Sequence, residues 1–331
     1  MSFKKNVFYF LTPVYNIEID TNLESGIHIG NNIVFTNNNS IIKEFATETL
    51  KKRIGEIEYD SLMNANGVFY KVLTSDFEGK FDKQIKNHKK ELLEFLYLSQ
   101  SFISLFWLIK DNSVNIEIGY TEFFKFVSEN SIESTFGSTN HLGVINTFAN
   151  GDKKNQKFKF DDLNKILEYS KFLKPTEYTK FAIDPSPVYN NNPRIGIALA
   201  SINIARGQHD LALKIGHYCT FFESIFSTSN TEITHKLAER IAFFTELLPE
   251  LRYKRFQEIK DIYSVRSQVV HGSNVSSKKL KSINDLVNNT DNIARIAINK
   301  ILNNRFLLNL FSSRDNKKLD DYFNKLIFGM N

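Results

Sequence analysis

Hydrophobic positions along the chain change their rhythm near residue 194. Before it, alternating and helical periods are mixed. Residues 7–20 and 26–35 read as strands, and Gly30-Asn31-Asn32, between the runs IHI and IVF, predicts a hairpin turn. Residues 40–53 carry a helical pattern, 68–74 (VFYKVLT) a strand and 82–110 a long helix. Residues 114–120 alternate, which puts Val114, Ile116, Ile118 and Tyr120 on one strand face. An amphipathic helix is predicted over 161–173, behind acidic residues that suit a helix N-terminus. The first part of the chain is therefore expected to be an α+β domain.

Residues 175–193 hold Pro175, Pro185, Pro187 and Pro193, four of the six prolines, and the run Asn190-Asn191-Asn192. A helix cannot continue through such a stretch, so it marks a domain junction, giving domains 1–193 and 194–331. From Arg194 onward the pattern is almost wholly helical. Residues 194–206 and 210–226 are helices separated at Gly207, and Ser229 with Glu232 makes a capping-box pattern. Ile233, Leu237, Ile241, Phe244 and Leu248 step by three and four, Pro249 separates that helix from the next, and further helices are expected over 250–271, 285–311 and 319–328. Helices joined by short connections form a bundle, so the second domain is expected to be all-α.

The helix over 250–271 carries unusual chemistry. Phe256, Ile259, Tyr263, Arg266 and Val270 recur at helical spacing, His271 falls in the final turn, and Gly272 supplies the stop. A permanent cation on an apolar stripe calls for a partner or a task. The run YSVRSQVVHG resembles the R-x4–6-H signature of the HEPN superfamily of small helical ribonucleases, and its Arg, four residues, His-Gly wording is similar to the ApeA-like branch. The segments FFESIF (221–226) and EITHKLAERIAFF (232–244), with its K-L-x-x-R core, extend the resemblance. It covers residues 194–331 and leaves the first domain without a family.

Composition changes this picture little. A hydrophobic share of 42% and a charged share of 24% are ordinary for a globular chain, and 331 residues suit two domains. The single cysteine, Cys219, excludes an intrachain disulfide and a cysteine-based zinc site. No carboxylate cluster or His/Cys spacing suits a metal, and no cofactor is expected. The apolar passage 92–109 is interrupted by Glu94, Ser99, Gln100 and Ser101 and reads as a buried helix rather than a membrane span, and the N-terminus as no secretory signal. The expected location is cytoplasmic, without a membrane partner. The net charge of +5 is uneven: residues 196–331 carry 19 basic against 13 acidic side chains, and Lys278, Lys279 and Lys281 directly follow the motif. Those lysines are either an RNA-binding patch or a solvated surface.

The resemblance implies a metal-independent endoribonuclease that cleaves RNA by attack of its own 2′-hydroxyl, with Arg266 and His271 catalytic. Histidine serves as acid or base near neutrality, and arginine keeps its proton while its planar fork matches phosphate oxygens. Three other residues support the site in this reading, each beside a blander role. Glu223 either bonds Arg266 or lies on a helix surface. Tyr263 contacts the phosphate or packs in the core, and Ser267 orients the arginine or faces water. Lys236 and Arg240 fit the K-L-x-x-R wording or make surface ion pairs. Five residues on a helix correspond to about 7.5 Å of rise and 140° of rotation. Arg266 and His271 therefore do not share a face, and the resemblance implies a homodimer whose two motifs meet across one cleft. It further implies bacterial antiphage defence by abortive infection, with tRNA among the candidate targets, the first domain acting as sensor or restraint, and a phage-derived trigger. A non-catalytic HEPN-like module that binds RNA or protein is the alternative, as is the toxin of a toxin–antitoxin pair, with an antitoxin as partner.

Overall fold

A computed structural model describes residues 5–75, 78–128, 131–173, 194–228, 233–313 and 315–330. They fall into two compact units, residues 5–145 with 154–173, and residues 146–153 with 194–330. The proline-rich junction at 175–193 and the capping-box pair Ser229 and Glu232 lie outside the described residues.

The first unit is built on a six-stranded antiparallel sheet of order β3-β4-β5-β1-β6-β7. Its strands are β1 (Lys5–Val14), β3 (Ile27–Gly30), β4 (Ile33–Thr36), β5 (Gly67–Ser75), β6 (Ile118–Ser128) and β7 (Ser131–His141), and a separate pair is formed by β2 (Ile17–Ile19) and β8 (Gln156–Phe158). The hairpin turn falls where the sequence puts it. Gly30 pairs with Ile33 across Asn31 and Asn32, both with positive φ, the two-residue geometry that matches strand twist. The strand expected over 114–120 begins instead at Ile118 and runs on to Ser128. Thr121, Glu122, Phe123 and Phe124 are all buried, so this central strand shows no alternation.

Both faces of the sheet are covered. Tyr9 and Leu11 of β1 pack with Ile42, Phe45 and Leu62 of α1 (Asn39–Phe45) and α3 (Glu56–Met63). Phe10 points the other way, 5.5 Å from Phe95 of α4 (Glu78–Ser104). The helical pattern over 40–53 breaks at Ala46-Thr47, where the Thr47 hydroxyl caps α2 (Glu48–Ile54). Arg53 of α2 meets Glu122, which is fully buried in β6. The stretch 86–109, spanning α4 and α5 (Phe106–Ile109), is long and apolar enough by composition to cross a membrane. Leu92, Phe95, Leu96, Phe102, Phe106 and Trp107 within it are buried inside this unit. Helix α6 (Phe160–Phe172) starts with Asp161 and Asp162, and Asp162 accepts from the backbone N–H of Lys159.

The second unit is helical, with α7 (Arg194–Gly207), α8 (Leu211–Phe226), α9 (Ile233–Thr245), α10 (Pro249–Val270), α11 (Ser277–Lys281), α12 (Ile283–Leu302), α13 (Arg305–Ser312) and α14 (Asn316–Ile327). The helix expected over 285–311 is two helices. Asn303 closes α12, and the Asn304 side chain accepts from Leu307 N–H to open α13. Phe226, Phe244, Phe311 and Phe323 join four of these helices, with ring centroids 5.4 to 6.5 Å apart. Such aromatic pairs contribute about 0.5–1.5 kcal/mol each beyond their buried area.

The segment 146–153 belongs to this unit although a stretch of the first unit follows it in the chain. Thr147 donates from its N–H and its hydroxyl to the Arg206 carbonyl, at 2.9 and 3.0 Å. Fully buried Lys214 donates to the Thr147 hydroxyl at 2.7 Å and to the Phe148 carbonyl at 2.6 Å. A buried ammonium needs such acceptors, and no periodicity in 146–153 announces them.

Candidate functional site

Helix α10 starts with Pro249 in its first turn, where the missing N–H costs nothing. Its buried side is Ile259, Ile262, Tyr263 and Val265. The stripe read from sequence is off by part of a turn, since steps of three and four leave the helix face ambiguous by one residue. Val270 is 58% exposed and Arg266 stands at the margin of the buried side, its side chain 35% exposed.

The end of the helix follows the glycine rule. Gly272 has φ of +66°, its N–H donates to the Val269 carbonyl, and Ser273 N–H reaches back to Gln268 at 2.8 Å. This is a Schellman closure, and it leaves His271 as the exposed C-cap residue with φ of −89°. The imidazole thus stands at the rim of the bundle on a fixed backbone.

Arg266 reaches across to α8. Its Nη2 lies 3.4 Å from Oε1 of Glu223, whose side chain is 27% exposed. Burial raises the pKa of the Glu223 carboxyl above the usual range, and the Arg266 charge only partly offsets it. Folded chain therefore binds this proton more tightly than unfolded chain. The Glu223 contribution to stability is full below the ordinary Glu range and is lost as pH rises through the raised value. In Glu223→Gln that loss is absent, so melting temperatures from about pH 4 to pH 7 should shift progressively in the variant's favour. A wild-type-to-variant difference that stays constant with pH would contradict this.

Below Arg266 the bundle is closed. Tyr263 is 4% exposed and its hydroxyl donates to the Cys219 carbonyl at 3.3 Å, so burial there rules out the phosphate contact considered from sequence. Burial pushes its hydroxyl pKa well up, and does the same to the Cys219 thiol, which is therefore no nucleophile. Ser267 is exposed, and its carbonyl accepts from His271 N–H at 3.1 Å. Lys279 and Lys281 sit on α11, half-buried and exposed respectively; the side chain of Lys278 lies outside the described residues. The structure thus brings Arg266 and Glu223 together, with His271 just beyond them at the helix end.

The K-L-x-x-R pair has a structural task. Arg240 is buried, donates to the Phe226 carbonyl at 2.8 Å and the Thr228 hydroxyl at 3.0 Å, pairs with Asp320 and lies over the Phe323 ring. Lys236 is 3.8 Å from the same Asp320. Arg194 donates to the carbonyls of Ser224 and Ser227, so two guanidinium groups satisfy the last carbonyls of α8. Asp320 was not legible as the partner of Arg240, nor Arg194 as a donor to the end of α8, because each stands in a different helix far away in the chain. A second such group is Tyr218, whose hydroxyl donates to buried Asp291 at 2.6 Å, with Arg295 on the other carboxylate oxygen at 2.7 Å.

Of the remaining histidines, His88 is buried against Phe136 and His217 is half-buried, which lowers its pKa. Among the described residues no group of three or more His, Cys, Asp or Glu is placed to hold a metal ion. No protein family, curated protein or solved structure matches the chain.

Proposed function

We propose that the helical unit is a metal-independent endoribonuclease of the HEPN type, with Arg266 and His271 as its catalytic residues. The observation that carries the reading is their placement. Both stand at the solvent-facing end of one helix, the imidazole exposed at a glycine closure and the guanidinium held by a single carboxylate. In the reaction a base takes the proton of the 2′-hydroxyl, the 2′-oxygen attacks phosphorus, and an acid protonates the departing 5′-oxygen. The products are a 2′,3′-cyclic phosphate and a 5′-hydroxyl. One histidine cannot stand on both sides of the phosphorus, and a second copy of the chain supplies the second imidazole in a homodimer. Arg266 stabilises the charge on the phosphorane oxygens. Glu223 is a positioning residue that hands the guanidinium to the phosphate. Lys279 and Lys281, with Lys278, offer charge to the RNA backbone beyond the motif.

The biological setting belongs to the same proposal: abortive infection of a bacterium by RNA cleavage, tRNA being one target class, with the first unit sensing a phage-derived trigger. An RNA- or protein-binding module without cleavage is favoured by one feature, the Arg266–Glu223 pair, which occupies the cation. Incubating the purified chain with total RNA in EDTA separates the two. The enzyme reading predicts cleavage there, and intact RNA bound to the protein would establish the other.

A further inference from the structure

A second site lies at the opposite end of α10. Between α9 and α10 there is a cavity of about 330 Å³, lined by His235, Glu239, Phe243, Arg252, Tyr253 and Phe256 among others. It is at the small end of ligand pockets, sized for a single ring system rather than a helix or a strand. Its walls are aromatic. Tyr253 is 69% exposed, and the His235 ring stands edge-on to Phe256 at 5.1 Å. Cations lie over two of these rings: the Arg252 guanidinium is 4.5 Å from the Phe243 centroid, and Lys260 Nζ 5.5 Å from that of Phe256. Arg252 Nε donates to the Glu246 carbonyl at 3.0 Å, which fixes the guanidinium plane.

We propose that this cavity is a nucleobase subsite that holds one unstacked base of single-stranded RNA bound to the motif of α10. It rests on the ribonuclease reading and adds a place where that enzyme grips its substrate. Exposed aromatic rings and planar guanidinium groups are the surfaces on which unpaired bases stack. The Glu239 carboxylate lining the cavity repels a phosphate and accepts from an amino group. The favoured bases are those that carry one, so uracil is disfavoured. The geometry also sets a length. Phe256 and Tyr253 precede Arg266 by 10 and 13 residues, which is about 15 to 20 Å along the helix. A single strand that keeps helical stacking between the two sites, about 3.4 Å per nucleotide, spans that with about five nucleotides.

The test uses full-length protein in a His271→Ala background, with fluorescence anisotropy on unstructured RNA oligomers of 4 and 12 nucleotides. Tyr253→Ala is expected to weaken binding of the 12-mer roughly tenfold, to leave the 4-mer unchanged, and to be rescued by Tyr253→Phe. Glu239→Gln is expected to narrow the preference against oligo(U). A 12-mer affinity unmoved by Tyr253→Ala, with RNA still bound and with wild-type chain cutting RNA, overturns the subsite and spares the ribonuclease. Tyr253-dependent binding by a chain that never cuts RNA does the reverse. If Tyr253→Ala instead changes the sedimentation coefficient and not RNA affinity, the face, which also exposes Leu247, Leu248 and Leu251, is a protein contact and the subsite is wrong.

Discussion

Replacing His271 by alanine should lower RNA cleavage about 10²–10⁴-fold, the usual contribution of one positioned acid or base. A loss of about 10²–10³-fold is expected from Arg266→Ala, since a missing donor to the charged transition state costs about 3–4 kcal/mol. The His271 change should leave the fold intact, and Arg266→Ala should cost some stability, because half-buried Glu223 loses its cation. His271 is an exposed C-cap whose closure depends on backbone bonds and Gly272, and exposed substitutions of that kind stay within about 0.5 kcal/mol. Arg266→Lys keeps the charge and loses the fork, so partial activity would separate charge from geometry. Initial rates and melting curves on the same preparations check both halves. Activity that survives either alanine substitution in a folded chain would remove that residue from the chemistry.

The second large effect is on stability. Asp320→Ala should cost about 3 kcal/mol, the lower end of what leaving a buried charge without its counterion costs, because Asp320 is itself 39% exposed. The Arg240 side chain is 2% exposed, and its remaining partners, the Phe226 carbonyl and the Thr228 hydroxyl, carry no full charge. Asp321, one residue on, pairs with Lys325 at the surface, and Asp321→Ala should cost no more than about 1 kcal/mol. Burial pushes the Asp320 carboxyl pKa up, but hydrogen bonds from Thr228 and Arg240 and the charges of Arg240 and Lys236 outweigh it and hold it below the usual range. Its contribution is therefore full above the ordinary Asp range and is lost as pH falls through the depressed value. Denaturant midpoints for the two variants check the contrast, and equal losses would contradict the clamp.

The discontinuous second unit changes how regulation by the first is tested. A chain beginning at residue 191 lacks Thr147 and Phe148, the acceptors of buried Lys214, and should melt well below a chain beginning at residue 146. Greater toxicity of the longer truncate than of full-length protein would support restraint by the first unit. Unchanged or lower toxicity would count against it.

What was legible in the sequence was local. Gly272 announced the helix end, Asn31-Asn32 the hairpin and Pro249 the break between two helices, because each acts through its own backbone geometry. The long-range partners were not legible. Arg240 and Asp320, or Lys214 and Thr147, stand more than sixty residues apart, and nothing in a helical period names a distant counterion. Strand β6 was half-read because burial on both faces erased its alternation. At the site, the spacing of Arg266 and His271 was plain, and Glu223 was a candidate from its wording. Tyr263 was read as either a phosphate contact or a core residue, and its packing against α8 decides for the core.

The most direct test is the chemistry of the cut ends. Wild-type chain in EDTA, given a defined single-stranded RNA, should yield fragments ending in a 2′,3′-cyclic phosphate with 5′-hydroxyl partners, and the Arg266→Ala and His271→Ala chains should yield none. Fragments ending in a 3′-hydroxyl, or RNA left whole by a folded wild-type chain, would contradict the account.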